Sequence, residues 1–331
     1  RSINKGVCLN MFLSFQDRLR IPWKGGAKQV SFDAIVPGLT IPLIIGIGAI
    51  NLYCCFIITF ATICLLFYVR HSLQKVAPRS RFFFMWTLWS IIYLLLLFEI
   101  TVPLFELLPE ENCILVVLVC FSLFCTFKTR RKAMQNSVLQ NLALELESGE
   151  KLMGYVEEHT TAPIRDAVSN DDCHMTACRN CRKNVLPKTF HCYICQVCVI
   201  KQSHHSLWLD CCIGESNQKF YTCTLVFGAC SLFLGANLIL TSVCHPVLIF
   251  QILSIHFLLP DDCSEVFEQY EMGVSFVISA YSIVFGTVIL SALFLHLFFL
   301  TKGVTYVEWR SSQKDFRTSL SNTKDFFVRN V

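Results

Sequence analysis

Charge is scarce in this sequence. Asp, Glu, Lys and Arg make up only 16% of its 331 residues, against about 25% in an ordinary globular domain. So few ionised side chains cannot coat a surface in water, which excludes a soluble enzyme domain. The same shortage excludes disorder and coiled coil, both of which are built on charged residues. An excess of one sign is missing as well. The 28 Lys+Arg and 24 Asp+Glu leave +4, too little to argue for a polyanion, so no nucleic-acid partner is expected. An initiating Met is also lacking. The chain opens on Arg1, so the natural N-terminus, with any targeting signal, is expected to lie upstream.

Apolar residues fill the space that charge leaves. They form 54% of the chain, 29 of them Phe, and the mean hydropathy is +0.52. Nineteen cysteines suit neither the length nor the apolarity of a small secreted disulfide scaffold. The composition defines a polytopic membrane protein.

A membrane helix needs about 20 predominantly apolar residues. Ala34 to Val69 holds no charged residue over 36 positions, enough for two spans with Gly46, Gly48 and Asn51 at the turn. Phe82 to Phe98 predicts a third span and Cys113 to Phe127 a fourth. Phe220 to Pro260 and Gly273 to Thr301 are uncharged for 41 and 29 residues. Basic residues concentrate in cytosolic loops. With six spans and both termini cytosolic, all 28 basic residues fall in segments 1–33, 70–81, 128–219 and 302–331. The external loops, about 103–112 and 244–272, hold none and carry Glu106, Glu110, Glu111, Asp261, Asp262, Glu265, Glu268 and Glu271 instead. A second crossing after Phe220 would put the basic tail outside, so 244–260 is expected along the outer interface.

The predicted organisation is a cytosolic segment 1–33, spans one to four within 34–127 and a cytosolic loop 128–219. Spans five and six follow within 220–301 around the external loop at 244–272, then a cytosolic tail 302–331. The fold class is an all-α polytopic membrane protein with a small cytosolic cysteine-rich domain. A transporter would leave ionisable residues in its spans. Glu99, near a helix end, and His296 are a thin trace, and a lone histidine is usually satisfied structurally.

The loop 128–219 begins with Lys128, Arg130, Arg131 and Lys132, a headgroup anchor. Met134 to Leu152 has helical apolar spacing and predicts an interfacial or packing helix. Then the composition changes. Residues 178–212 run Cys178-x2-Cys181, His191-Cys192-x2-Cys195-x2-Cys198, His204-His205 and Cys212. A Cys-x-x-Cys pair puts two thiolates on one tight turn, close enough to share a tetrahedral zinc. Three such pairs with histidines, in a reducing compartment, indicate metal rather than disulfides.

This run resembles the cysteine-rich domain of the DHHC protein S-acyltransferases, or palmitoyltransferases. The match continues through Gly214, Asn217 and Phe220. Thr305-Tyr306-Val307-Glu308 resembles the family's Thr-Thr-x-Glu element with one substitution, and Asn322 with Phe326-Phe327 its C-terminal Asn/aromatic motif. Arg20-Ile21-Pro22-Trp23 resembles a segment of one human member. The resemblance implies two structural zinc ions, one on Cys178, Cys181, His191 and Cys198, the other on Cys192, Cys195, His205 and Cys212. It also implies an acyl-CoA such as palmitoyl-CoA as acyl donor, cysteines of membrane-associated proteins as acceptors, and residence in the Golgi, endoplasmic reticulum or plasma membrane. Asn217, Thr305 and Glu308 fall on motif positions.

The family's signature tetrapeptide supplies an Asp, an activating His, a zinc-binding His and a nucleophilic Cys. Here it reads Ser203-His204-His205-Ser206. His204 stays as the base, while the orienting carboxylate and the thiol are both replaced. A serine hydroxyl remains protonated at neutral pH without a well-oriented base. Were Ser206 acylated, its oxygen ester would be more stable than a thioester, and passage of the acyl group to a cysteine would run uphill. Leu207 stands where the family usually has Pro, and Asp210-Cys211 where it has two Asn. Catalysis is therefore expected to be lost or strongly impaired. Two alternatives stay open: a displaced nucleophile, for which Cys211 is the one nearby spare thiol, and a zinc-stabilised scaffold that binds partner proteins. Cys113, Cys244 and Cys263 would face the oxidising side, where one disulfide of unreadable pairing is expected.

Overall fold

The computed structural model describes residues 20–23, 26–29, 32–76, 80–101, 109–147, 176–178, 180–181, 184–185, 188–252, 255–307 and 309. Contacts group the chain into two units, residues 1–108 with 235–282, and residues 109–234 with 283–331.

The first unit opens on a hairpin of β1 (Arg20–Trp23) and β2 (Gly26–Gln29). Helices α1 (Phe32–Gly48), α2 (Leu52–Val76) and α3 (Phe82–Thr101) follow. Of the residues expected at the turn between α1 and α2, Gly46 and Gly48 instead belong to the last turn of α1, while the Asn51 side chain accepts the Cys54 backbone N–H at 2.7 Å and caps α2. Two prolines sit inside α1, Pro37 and Pro42. Each lacks the N–H that would close a helical turn. Pro42 would have served the Gly38 carbonyl, and the Tyr93 hydroxyl of α3 donates to that carbonyl instead, at 2.7 Å. Trp89 donates its indole N–H to Ala34 O at 2.8 Å. Its ring fills the place where a Gly38 Cβ would stand, 2.8 Å away, so Gly38 is required by close approach. Deeper in the unit, Trp86 Nε1 donates to Tyr281 Oη at 3.0 Å, and Ser90 Oγ lies 2.6 Å from the same oxygen.

Five helices are long and apolar enough to cross a bilayer: Leu52–Ser72, Phe82–Ile100, Glu110–Gln135, Gln218–Val243 and Tyr270–Thr301. The sixth expected span, α1, is apolar but shorter, at 17 residues. Helix α4 (Pro109–Glu147) runs 39 residues without a break. The separate helix expected from Met134 is therefore its continuation, and 148–152 lie outside the described residues. The basic cluster does not end α4, because a helix closes its own backbone hydrogen bonds whatever the polarity of its side chains. Lys128 and Lys132 lie over the rings of Phe124 and Phe220, at 5.4 and 4.8 Å from the centroids.

Helix α5 (Gln218–Val243) is followed, after Cys244, by a long hairpin, numbered β9 (His245–Ile252) and β10 (Ile255–Asp262) after the eight strands that precede it. The 41-residue apolar run thus forms one long helix and one hairpin. Cys244 and Cys263 are disulfide-bonded across the hairpin base, which resolves the open pairing, and Cys113 is free. Helix α6 (Tyr270–Thr301) completes the membrane set.

Candidate functional site

The cysteine-rich segment folds as three short antiparallel hairpins. The first pairs β3 (Thr176–Ala177) with β4 (Asn184–Val185), the second β5 (Thr189–Cys192) with β6 (Val197–Ile200), the third β7 (His204–Ser206) with β8 (Cys211–Ile213). Directly opposed residues of an antiparallel pair share a face. His191 opposes Cys198 in the second hairpin, and His205 opposes Cys212 in the third. Each of these pairs meets the Cys-x-x-Cys turn carried by the preceding hairpin. The result is two groups, Cys178, Cys181, His191 and Cys198, and Cys192, Cys195, His205 and Cys212. Within each, the ligand atoms all lie within 4.8 Å of one another.

Both groups fit a tetrahedral metal. In the first, Cys181 Sγ is 3.5 Å from His191 Nδ1 and 3.1 Å from Cys198 Sγ, which is 3.6 Å from the same nitrogen. In the second, His205 Nδ1 is 3.9, 3.4 and 3.7 Å from the sulfurs of Cys192, Cys195 and Cys212. A zinc held by three thiolates and one imidazole has edges of about 3.5–3.8 Å. None of these cysteines is in a disulfide. The backbone N–H groups of Cys181 and Asn180 point at Cys178 and hold its thiol down to about 6, which favours the thiolate a metal needs. Four protein ligands close a site to substrate, so a metal there would cross-link loops and do no chemistry.

The third hairpin also presents the altered signature. Strand side chains alternate, so the His205–Cys212 pair takes one face, and His204, Ser206, Cys211 and Ile213 take the other. That second face packs into an apolar cluster of Leu209, Tyr221 and Leu225, edged by Ala133 of α4 and Ile289, Ala292 and Leu293 of α6. Ser203 and Ser206 are both buried. His204 Nδ1 lies 3.2 Å from Ser203 Oγ. Ser206 Oγ accepts the Leu209 backbone N–H at 3.4 Å. Among the described residues, no carboxylate is hydrogen-bonded to His204. Burial, helped by nearby His296 and His205, pushes His204 down to about 4, so its imidazole is neutral at pH 7. Burial pushes the Cys211 thiol up to about 12 despite the nearby Arg130 guanidinium. Asp210 closes the turn with φ of 48°, a left-handed conformation that Asp tolerates, and its carboxylate is 4.0 Å from Arg130.

Asn217 is fully buried. Its amide donates to Cys212 O at 2.9 Å and to Thr129 O of α4 at 3.1 Å, while its oxygen accepts the Gly214 N–H at 2.9 Å. It ties the metal hairpin to a membrane helix. Gly214 is fixed by contact, since a Cβ there would stand 2.8 Å from Val199 Cγ1 and 2.9 Å from Ile200 O. Tyr221 escapes sequence reasoning: its ring meets His204 edge-on at 5.5 Å and His296 at 5.0 Å. His296 is a satisfied structural histidine. Its Nε2 is 3.1 Å from Thr222 Oγ1, and that hydroxyl already donates to Gln218 O, so the imidazole is the donor. Thr305 accepts the Trp309 N–H at 3.0 Å. Glu308, Asn322, Phe326 and Phe327 lie outside the described residues.

Membrane-length helices and a double Cys/His group define a polytopic membrane protein with a cysteine-rich domain that could hold metal. Residues 172–313 match the family model described as DHHC palmitoyltransferase. The chain is similar to Palmitoyltransferase ZDHHC23-B of Danio rerio, 25% identical over 91% of this chain and 74% of the relative. It is likewise 25% identical to Palmitoyltransferase ZDHHC23 of Homo sapiens over 86% of this chain and 74% of that protein, the human member whose segment Arg20–Trp23 resembles. Probable protein S-acyltransferase 13 of Arabidopsis thaliana is 24% identical over 50% of this chain and 49% of its own.

Proposed function

We propose that this chain is a DHHC-type protein S-acyltransferase fold in which palmitoyl transfer is lost or strongly impaired. It acts as a zinc-stabilised membrane scaffold that competes for acyl-CoA or for the membrane proteins its active relatives modify. The observation that carries the reading is the pairing at the signature: the base His204 faces the Ser203 hydroxyl at 3.2 Å, and the nucleophile position holds a buried serine.

In the active cycle a thiolate attacks the thioester carbonyl of acyl-CoA, CoA leaves as a thiol, and the acyl-enzyme passes its chain to a cysteine of the acceptor protein. The cycle needs a base that takes the thiol proton and an anion that stabilises the resulting imidazolium. His204 keeps the first role. Ser203 supplies a neutral dipole where a charge is needed, and Ser206 holds its proton at neutral pH. Cys178, Cys181, His191 and Cys198 would hold one zinc, and Cys192, Cys195, His205 and Cys212 the other, each supplying a rigid cross-link. Asn217 keeps the third hairpin on α4, and Thr305 and Glu308 keep their motif positions without an assigned step.

Both termini and residues 128–219 face the cytosol in this reading, with the 244–272 loop outside and the protein in the Golgi, endoplasmic reticulum or plasma membrane. The partition of all 28 basic residues supports the orientation. So does the Cys244–Cys263 disulfide, a bond of oxidising compartments.

One observation favours a second reading, an active transferase with Cys211 as nucleophile: Cys211 stands directly opposite Ser206 on the same face as His204. Its raised thiol argues against it. Metabolic labelling with a clickable palmitate analogue, followed by hydroxylamine, separates the two. Thioesters are released readily and oxygen esters poorly. The proposed function expects no hydroxylamine-labile adduct; a labile adduct that vanishes in Cys211→Ala would replace it with the second reading.

A further inference from the structure

The hairpin after α5 is apolar on both faces. Successive strand residues point to opposite faces, yet Val247, Leu248 and Ile249 are all exposed, at 48, 49 and 54%, as are Leu258 and Leu259 on the paired strand. Leu258 opposes Leu248, and Leu259 opposes Val247. A two-stranded ribbon with a wet face would alternate polar and apolar residues along each strand. This one does not, so neither face is built for water.

Its position says what covers it. Asn237 of α5 donates to the Leu258 carbonyl at 3.5 Å. Asn237 lies six residues before the end of α5 at Val243, about 9 Å back along the helix at 1.5 Å per residue. Leu258 lies five residues from Cys263, which the disulfide joins to Cys244 beside that same helix end. The ribbon therefore leaves the end of α5 and folds back along it. Helix α5 has 26 residues, about 39 Å against a hydrocarbon core of about 30 Å. Centred in the bilayer, it places Asn237 and the Leu258 level about 4–5 Å inside the hydrocarbon boundary.

We propose that β9 and β10 form a disulfide-clasped ribbon seated at the boundary between headgroups and acyl chains around the Val243 end of α5, with the acyl chains as its partner. The edge amides of an open ladder are costly in hydrocarbon, which holds the ribbon near the headgroup boundary, and Asn237 satisfies one edge carbonyl there. The occupant is apolar rather than an anionic headgroup. Residues 244–272 contain no Lys or Arg, while Asp261, Asp262, Glu265, Glu268 and Glu271 gather at and beyond the base.

The test uses the whole chain in phosphatidylcholine nanodiscs holding one copy each. Hydroxyl-radical footprinting is expected to leave the 245–262 peptide unlabelled and to label 264–271. A photo-crosslinking residue at Ile249 or Leu259 is expected to yield phospholipid adducts, as it does at the exposed helix position Phe294, with none at Glu265. Equal labelling of both peptides would overturn the proposal. So would a protein–protein adduct at Ile249 in place of a lipid one.

Discussion

Ser206 and Cys211 face each other across the third hairpin, cross-strand partners in the register that sets His205 against Cys212 on the opposite face. One pair belongs to the metal side and the other to the apolar side against the membrane helices. The thiol at the altered site is therefore a neighbour of the nucleophile position, held by packing and pushed up by burial. Replacing it tests both roles. Cys211→Ala should leave the labelling pattern of the chain unchanged and lower its thermal unfolding midpoint, because it opens a small void in a closed cluster.

Reversion of the signature should restore chemistry in two steps. Ser206→Cys alone provides a thiol beside an unsupported base and should give weak autoacylation with the clickable palmitate analogue. Adding Ser203→Asp places a carboxylate where Ser203 now meets His204 Nδ1, fixing the tautomer and stabilising the imidazolium. The rate should rise by a further ~10²–10⁴-fold, the usual range for an oriented acid–base group. A double revertant that keeps its zinc and stays silent would mean that Leu207, Asp210 or the acyl site has also diverged.

Metal analysis of the detergent-purified chain should give two zinc ions. Cys→Ala at Cys178, Cys192 or Cys198 should misfold the loop, because ligation and folding are coupled in domains this small. Less than one zinc per chain would contradict the assignment of the two Cys/His groups.

Asn217→Ala strands the Gly214 N–H and removes a donor from two buried carbonyls. Buried unsatisfied groups cost about 1–3 kcal/mol each, so a loss of at least about 3 kcal/mol is expected, read as the unfolding midpoint in detergent. Tyr93→Phe is the smaller counterpart within the membrane. It keeps the ring stacked on Trp89 at 5.5 Å but deserts the Gly38 carbonyl that Pro42 cannot serve, at about 1–2 kcal/mol.

A glycosylation tag should report the orientation. Placed after Asn330 it should stay unmodified, and inserted near Asp262 it should be glycosylated. The reverse pattern would overturn the cytosolic assignment of both termini.

Much of the fold is legible in the sequence because membrane helices announce themselves by length of apolar run, a signal that needs no partner. The metal groups are legible for a similar reason, since Cys-x-x-Cys spacing brings two ligands together locally. What pairs across distance is not. Asn217 finds Thr129 88 residues away, and Tyr221 reaches His204 and His296 only once α5 and α6 pack beside the third hairpin. The charges at Lys128–Lys132 close the apolar run but not the helix, so α4 is longer than its hydropathy implies. The apolar run after Val243 has the composition of a span; the basic tail beyond it argues against a second crossing, but the Cys244–Cys263 pairing and the ladder between β9 and β10 are not legible in the sequence.

If the two Cys/His groups hold zinc, the Asn217 tether would make the supply of metal a matter of protein abundance. The same amide bridges Cys212, a candidate ligand, and Thr129, inside a helix that leaves the bilayer. A hairpin emptied of metal would release Asn217 and leave a helix carbonyl and an apolar face of α4 without their cover. That damage sits at the membrane surface, where cellular quality control inspects new chains. Zinc shortage would then be read out as fewer molecules reaching their membrane rather than as poorer molecules within it.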